Sequence, residues 1–195
     1  HLLPLDNPPT TEPGHMAVIG AGTGLGEALL AWNGEDYVVV AGEGSHGRFA
    51  PKNEREIELL RGLNKRWPDH VSVERVVSGP GLVNIYDILL GESPRHPDME
   101  HSDAAAVITR EGMDGHPLCE EVLNIFVDTL ADEAASLALK CNATKLFISG
   151  GIPPRILPVI QERFRTGFEN KGRYRKNLER TQLFVVTYGD TGLFG

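Results

Sequence analysis

Hydrophobic residues in this chain fall into short runs at one end and spaced patterns in the middle. "MAVIGAG" (16–22), "EALLAW" (27–32) and "DYVVVAG" (36–42) are short, rich in β-branched residues and closely spaced, as strands are. Asn33-Gly34 between the last two is a strong hairpin signal, so the three runs predict an antiparallel meander. The period then changes. "NEREIELLRGLNKRW" (53–67) repeats its apolar residues every three or four positions and predicts a helix; a second follows "SGPG" (78–81) and a long third covers about 117–140. "KLFISGG" (145–151) predicts a buried strand ending in two glycines. "PPRILPVIQERF" (153–164) predicts a broken helix and "LFVVTYGD" (183–190) a last strand. No internal repeat is visible.

Composition narrows this pattern to a class. The chain has 195 residues and 41% hydrophobic content, enough to bury a sizeable core. A formal charge of -8 and a pI near 5.4 argue against nucleic acid or an anionic membrane as partners, because both attract basic surfaces. No apolar stretch approaches 18 residues, so the expectation is a soluble, cytoplasmic protein with no membrane span or secretion signal. Cys119 and Cys141 fall far apart along the predicted long helix and are expected reduced and buried. Residues 1–15, rich in proline and threonine and starting at His1, read as a linker; with "GDTGLFG" at the other end, they suggest a piece of a longer protein.

Two glycine-rich segments carry the candidate chemistry. "GAGTGLG" (20–26) lacks the helix that a dinucleotide fingerprint needs and the lysine of a P-loop. It is a tight strand–turn–strand. Either it is an ordinary hairpin, or Gly22, Thr23 and Gly24 present backbone N–H groups and one hydroxyl to phosphate oxygens. "VVAGEGSHGRFAP" (39–51) sets Glu43 and His46 three positions apart among three glycines, and "HVSVERVVSGPGLVNIY" (70–86) adds Glu74. Two carboxylates and a histidine make a poor transition-metal set but suit hydroxyls, each charge-assisted hydrogen bond contributing roughly 1.5–3 kcal/mol. Taken singly, each also reads as a solvated or core side chain. "SPRHPDMEH" (93–101) collects two histidines and two acids at irregular spacing and reads as a polar loop.

The order strand, strand, strand, helices, strand, helix, strand is that of half an actin-like ATPase, a ribonuclease-H-like α/β fold with a mixed sheet flanked by helices. Five blocks carry a closer likeness: "IGAGTGLGEALL", "GEGSHGRFAPKNEREIELL", "HVSVERVVSGPGLVNIY", "ISGGIPPRILP" and "FRTGFENKGRYRKNLERTQLFVVTYGDTGLFG". In that order they resemble the bacterial-type glucokinases, ATP-dependent hexose kinases of the actin-like superfamily, over residues 16–195. The resemblance implies that Glu43, His46 and Glu74 hold glucose hydroxyls. It implies that Gly22, Thr23 and Gly24 face the β- and γ-phosphates of ATP, and that Gly150 and Gly151 lie against the adenosine. A side chain at such glycines would block close approach of the nucleotide. Magnesium would come with the ATP, no residue here being a metal ligand. The basic run 169–180 reads first as a solvated helix face, with Lys171 and Arg173 as secondary candidates to help neutralise the phosphates.

The chain also departs from the family. Where the pattern normally reads glycine-glycine-histidine-valine-aspartate-phenylalanine, this chain has "GSHGRF", putting Ser45, Gly47 and Arg48 around His46. The asparagine-aspartate pair whose aspartate takes the proton of the sugar's 6-hydroxyl is absent, since no "ND" dipeptide occurs. Residues 16–195 therefore correspond to the large lobe alone, lacking the small N-terminal lobe and the final helix. With no catalytic residue of its own, the isolated chain is expected to be inactive. A non-catalytic sugar-sensing domain and a kinase for another hexose remain alternatives, and a homodimer stays open.

Overall fold

The computed structural model describes residues 2–5, 12–100 and 102–187. Six strands form one mixed sheet: β1 (Leu2–Pro4), β2 (Met16–Ala21), β3 (Leu25–Trp32), β4 (Tyr37–Gly42), β5 (Lys145–Ser149) and β6 (Gln182–Val186), in the order β1-β6-β5-β2-β3-β4. The meander β2-β3-β4 is antiparallel, β5 lies parallel to both β2 and β6, and β1 closes the far edge antiparallel to β6. The predicted three-strand opening is therefore present, with its hairpin at Asn33, whose Oδ1 accepts from the backbone N–H groups of Glu35 and Asp36. The first residues differ from expectation: within the segment read as a linker, residues 2–4 form an edge strand. Three residues at a sheet edge gain their stability from the neighbouring strand, a contact that composition does not reveal. The expected last strand ends at Val186; its residues 188–190 lie outside the described ones.

Alternation places the core. Ala17, Ile19 and Ala21 on β2, Leu146 and Ile148 on β5, and Leu183 and Val185 on β6 share one fully covered face, as period two requires. The opposite face stays half-buried at Val18 and Phe147. Against the covered face lies α4 (Pro117–Cys141), a helix buried over much of its circumference, with buried residues from Cys119 through Phe126, Leu130 and Ala134 to Ala138. Such a helix belongs inside a layer of other helices. Those are α1 (Glu54–Arg66), α2 (Gly79–Leu90), α3 (Ala104–Met113), α5 (Leu157–Glu169) and the single turn α6 (Arg175–Leu178). The sequence pattern did not single out α3, because it is short and follows directly on a polar loop. Cys119 is buried while Cys141 is only partly so, and both are free thiols. Among the described residues no helix is long and apolar enough to cross a membrane.

Helix starts are capped by the residues the sequence supplies. Asn53 accepts from Glu56 N–H at 2.9 Å while its amide donates to the Glu56 carboxylate at 3.2 Å, a reciprocal box that fixes the first turn of α1. Ser78 accepts from Gly81 N–H at 3.0 Å and so begins α2. That start is also tied to the glycine turn, because Gly79 N–H donates to the Gly22 carbonyl at 2.7 Å.

Candidate functional site

One hollow of 440 Å³ opens between the β2–β3 turn, the segment after β5, and the starts of α2 and α3. Gly22 and Thr23 line it from the first of these and Gly151 from the second. Gly22 N–H closes the turn onto the Gly24 carbonyl at 2.9 Å. Gly150 has φ +97, and a Cβ there would run into the backbone of Ala21. Only glycine tolerates both conditions, and the bend it permits carries Gly151 to the edge of the hollow, while Gly150 itself is outside the lining. Ile152 N–H then binds the Ala21 carbonyl at 3.2 Å, locking the end of β5 to the end of β2. Backbone alone thus builds this wall.

Several lining residues escaped the sequence reading. Pro80 and Val83 from the first turns of α2, and Ala105, Ala106 and Thr109 from α3, form an apolar side with one hydroxyl. Gly79 opens α2 at the hollow, so a 12-residue helix points its positive end there. The cation present is Arg155, from the turn after Gly151. A signal for α2 existed in "SGPG", but nothing in the sequence said that α3 would stand opposite it. The expectation for Lys171 and Arg173 is not met. Lys171 binds Asp132 at 2.8 Å and Ser136 at 3.0 Å on α4, and Arg173 packs over the Tyr174 ring at 5.5 Å, so neither lines the hollow.

The second half of the site lies beside the glycine turn. Residues 44–46 form a 3-10 turn after β4 and residues 73–75 form another. They are sewn together by Val73 N–H donating to the Gly47 carbonyl at 3.0 Å and by a bridge between Arg48 and Ser72. On the first turn, His46 Nε2 approaches Glu43 Oε2 at 3.7 Å, with side chains 59% and 87% exposed. The His46 carbonyl is held by His70 Nε2 at 2.7 Å. On the second turn, half-buried Glu74 accepts from Leu25 N–H at 2.9 Å. Its carboxylate occupies the space beside Gly24, where a Cβ would approach Oε2 to 2.7 Å. Gly24 is outside the lining of the hollow, and its lack of a side chain leaves room for the acid. All three predicted polar residues come from adjoining turns, and one of them is bolted to the strand that leaves the glycine turn.

The departures around His46 have different fates. Ser45 is buried. Arg48 swings out, donating to the Asp69 carbonyl at 3.2 Å, while Phe49 anchors the following residues in the core. In the loop 93–101, Asp98 pairs with Arg110 at 2.6 Å, and among the described residues no His, Cys, Asp or Glu cluster could hold a metal ion. A larger cleft of 790 Å³ between α1, α4 and α5 contains none of the predicted site residues. It is walled by charges paired with one another, Lys52 with Glu56 and Arg163 with Asp128.

The glucokinase family model matches residues 1–195. The chain belongs to the glucokinase family. Among its relatives, a glucokinase of Trichormus variabilis is 39% identical over 201 residues, covering 92% of this chain and 59% of the relative. One of Nostoc punctiforme is 37% identical over 216 residues, covering all of this chain and 63% of the relative. This chain thus spans about 60% of the length of the curated glucokinases it matches. A crystal structure of a glucokinase from an Antarctic psychrotroph superposes with a TM-score of 0.85 at 32% identity, covering 97% of this chain and 58% of that one. A Balamuthia mandrillaris glucokinase solved with glucose gives a TM-score of 0.84 at 23% identity, covering 96% and 55%. A ROK-family glucokinase from Streptomyces griseus, solved with glucose and AMPPNP, gives 0.61 at 19%, covering 90% and 56%. The mixed sheet and its helical layer are those of the actin-like sugar kinases.

Proposed function

We propose that this chain forms the glucose-holding and nucleotide-holding part of an ATP:glucose 6-phosphotransferase acting in the cytoplasm. The observation that carries the reading is the bond from Leu25 N–H to Glu74 at 2.9 Å. It fixes a polyol-binding carboxylate one residue beyond a glycine turn suited to phosphate, so that a sugar hydroxyl and a terminal phosphoryl group meet across Gly24. Glu43, His46 and Glu74 bind glucose hydroxyls; the side-chain oxygens and nitrogens reject analogues that lack a hydroxyl by leaving polar groups unpaired. Gly22, Thr23 and Gly24 receive the β- and γ-phosphates, aided by the positive end of α2. The adenosine lies along Gly151 and the apolar side formed by Val83, Ala105 and Ala106, with Gly150 supplying the bend. Glucose and AMPPNP bound to the Streptomyces griseus neighbour support this pairing of ligands on one fold. Magnesium enters on the nucleotide and helps to neutralise it.

Phosphoryl transfer depends on positioning and charge stabilisation, with a base orienting the attacking hydroxyl. No asparagine-aspartate pair occurs in residues 1–195, so the base belongs to a small lobe outside them, and turnover by this chain alone is lower by several orders of magnitude. The test is glucose 6-phosphate formation from ATP and magnesium, comparing residues 1–195 with a protein carrying the remaining length of its relatives. Turnover by the longer protein alone supports the reading. Glucose binding without turnover in either would make the chain a sugar sensor, and turnover by residues 1–195 alone would overturn the assignment of the base.

A further inference from the structure

Strand β3 sends Leu25 and then Glu27 into the protein, an acid at a position where the alternation calls for an apolar residue. Glu27 is 9% exposed, and its Oε1 has no hydrogen-bond partner. It stands opposite Gly42 in the ladder with β4, one residue before Glu43. Its Oε2 occupies the place that a side chain at residue 44 would take. Gly44 has an ordinary negative φ, so what excludes a side chain there is the carboxyl of Glu27 and not the backbone.

The other side of the same turn is hollow. A 300 Å³ cavity separates it from α4, lined by Gly44, Gly47, Thr129, Glu133 and Lys140 among others. The hydroxyl of Thr129, a residue 4% exposed, is a second buried polar group without a partner. The turn that carries Glu43 and His46 is therefore not packed from beneath on both sides. Apart from the bonds that tie Gly47 and His46 to Val73 and His70, it leans on one carboxyl, beside a cavity into which it can settle.

We propose that Glu27 is a positioning residue for sugar binding, its carboxyl the wedge that sets where Gly44 lies and so where Glu43 and His46 are presented. The identity of the sugar rests on the glucokinase reading; the wedge does not.

The wedge works in its uncharged form. Burial, and then the charge of Glu133, push the Glu27 carboxyl up to about 7, with Lys140 pulling the other way. Cys141, also on α4, is held up as a thiol by burial and then by Glu27. The remaining charges nearby are engaged or face water. Glu43 and His46 are exposed, Lys52 pairs with Glu56, Lys171 with Asp132, and Arg48 donates to the Asp69 carbonyl. On losing its proton, the carboxylate draws water into the cavity or turns toward Lys140, and Gly44 loses its support.

The test follows the Glu27 carboxyl carbon and the Gly44 amide by NMR across pH in the full chain, together with calorimetric titration of glucose. The expected result is one shared midpoint near neutrality for Glu27 and Gly44, and glucose binding about fivefold weaker at about pH 8.5 than at about pH 6. Glu27→Gln keeps the tight-binding value at both pH values, and the Gly44 shift stops titrating. Glu27→Ala, with folding checked by thermal denaturation, binds weakly at both. A Gly44 shift that follows the His46 ring and survives Glu27→Gln overturns the proposal, as does Glu27→Ala with wild-type shifts and affinity. Glucose binding to none of these proteins would defeat the sugar reading, while the Gly44 shifts still decide the wedge.

Discussion

The two halves of this site are made of different material. On the side proposed for the nucleotide the groups are backbone: Gly22 and Gly24 in a closed turn, Gly150 in a conformation other residues avoid, Gly79 at a helix start. On the side proposed for the sugar they are side chains, Glu43 and His46 largely in water and Glu74 half-buried. Phosphate is recognised by N–H groups that need close approach and fixed direction, and only a turn embedded in the sheet provides them. Hydroxyls are recognised by carboxylates and imidazoles, which tolerate exposure and need only a shared platform. The consequence is an unequal coupling to stability: damage to the first half is damage to the fold, whereas damage to the second is mostly damage to binding.

The largest effect expected from that contrast is at Gly150. In Gly150→Val the side chain meets the Ala21 backbone at φ +97, which should cost at least about 3 kcal/mol of stability; chemical denaturation measures it, and a near wild-type midpoint would break the comparison. Next is Glu74, which sits on the boundary. Glu74→Ala should weaken glucose binding by about 1.5–3 kcal/mol, roughly tenfold to a hundredfold, and also leave Leu25 N–H unpaired; calorimetry against glucose and then against an ATP analogue reads whether both ligands suffer.

The third effect is a pH dependence. The folded-state value of about 7 for Glu27 lies above the ordinary 4.5, so the folded protein holds that proton more tightly than the unfolded chain. Stability from this group is fully present below about 4.5 and is lost as pH rises to about 7, a fall on the order of 3 kcal/mol. Denaturation midpoints for wild type and Glu27→Gln should diverge across that window, the variant being the more stable above it. The smallest effect on stability is expected at His46. His46→Ala should stay within about 0.5 kcal/mol of wild type in denaturation while losing about tenfold in glucose affinity, a split that would sharpen the contrast between the two halves.

Legibility in the sequence follows the same division. The meander, α1, α2 and the long α4 were readable because each carries a local signal: alternation, an Asn-Gly turn, a capping residue, an apolar period. That Glu43 and His46 share one exposed turn was readable because glycines isolate them. Edge strand β1 was not, since its pairing with β6 joins residues about 180 positions apart and leaves no local mark. The wall of the hollow formed by α3 was equally hidden, as was Arg155, whose relevance depends on where a turn happens to point. Lys171 was misleading for the complementary reason: a basic run announces charge, but Asp132 on α4 decided where that charge went.

By itself the sequence determined the kinds of elements and the family, and it marked the glycines and polar residues that carry the proposed site, because spacing and side-chain chemistry are properties of the chain. Only the tertiary structure decided that Glu74 is bolted to the strand leaving the glycine turn, that two helix starts close one hollow, and that a buried acid stands beneath Gly44. Those are meetings between residues far apart in sequence. They are set by how the sheet and α4 bury their shared face, and no local pattern encodes which distant side chains that burial brings together.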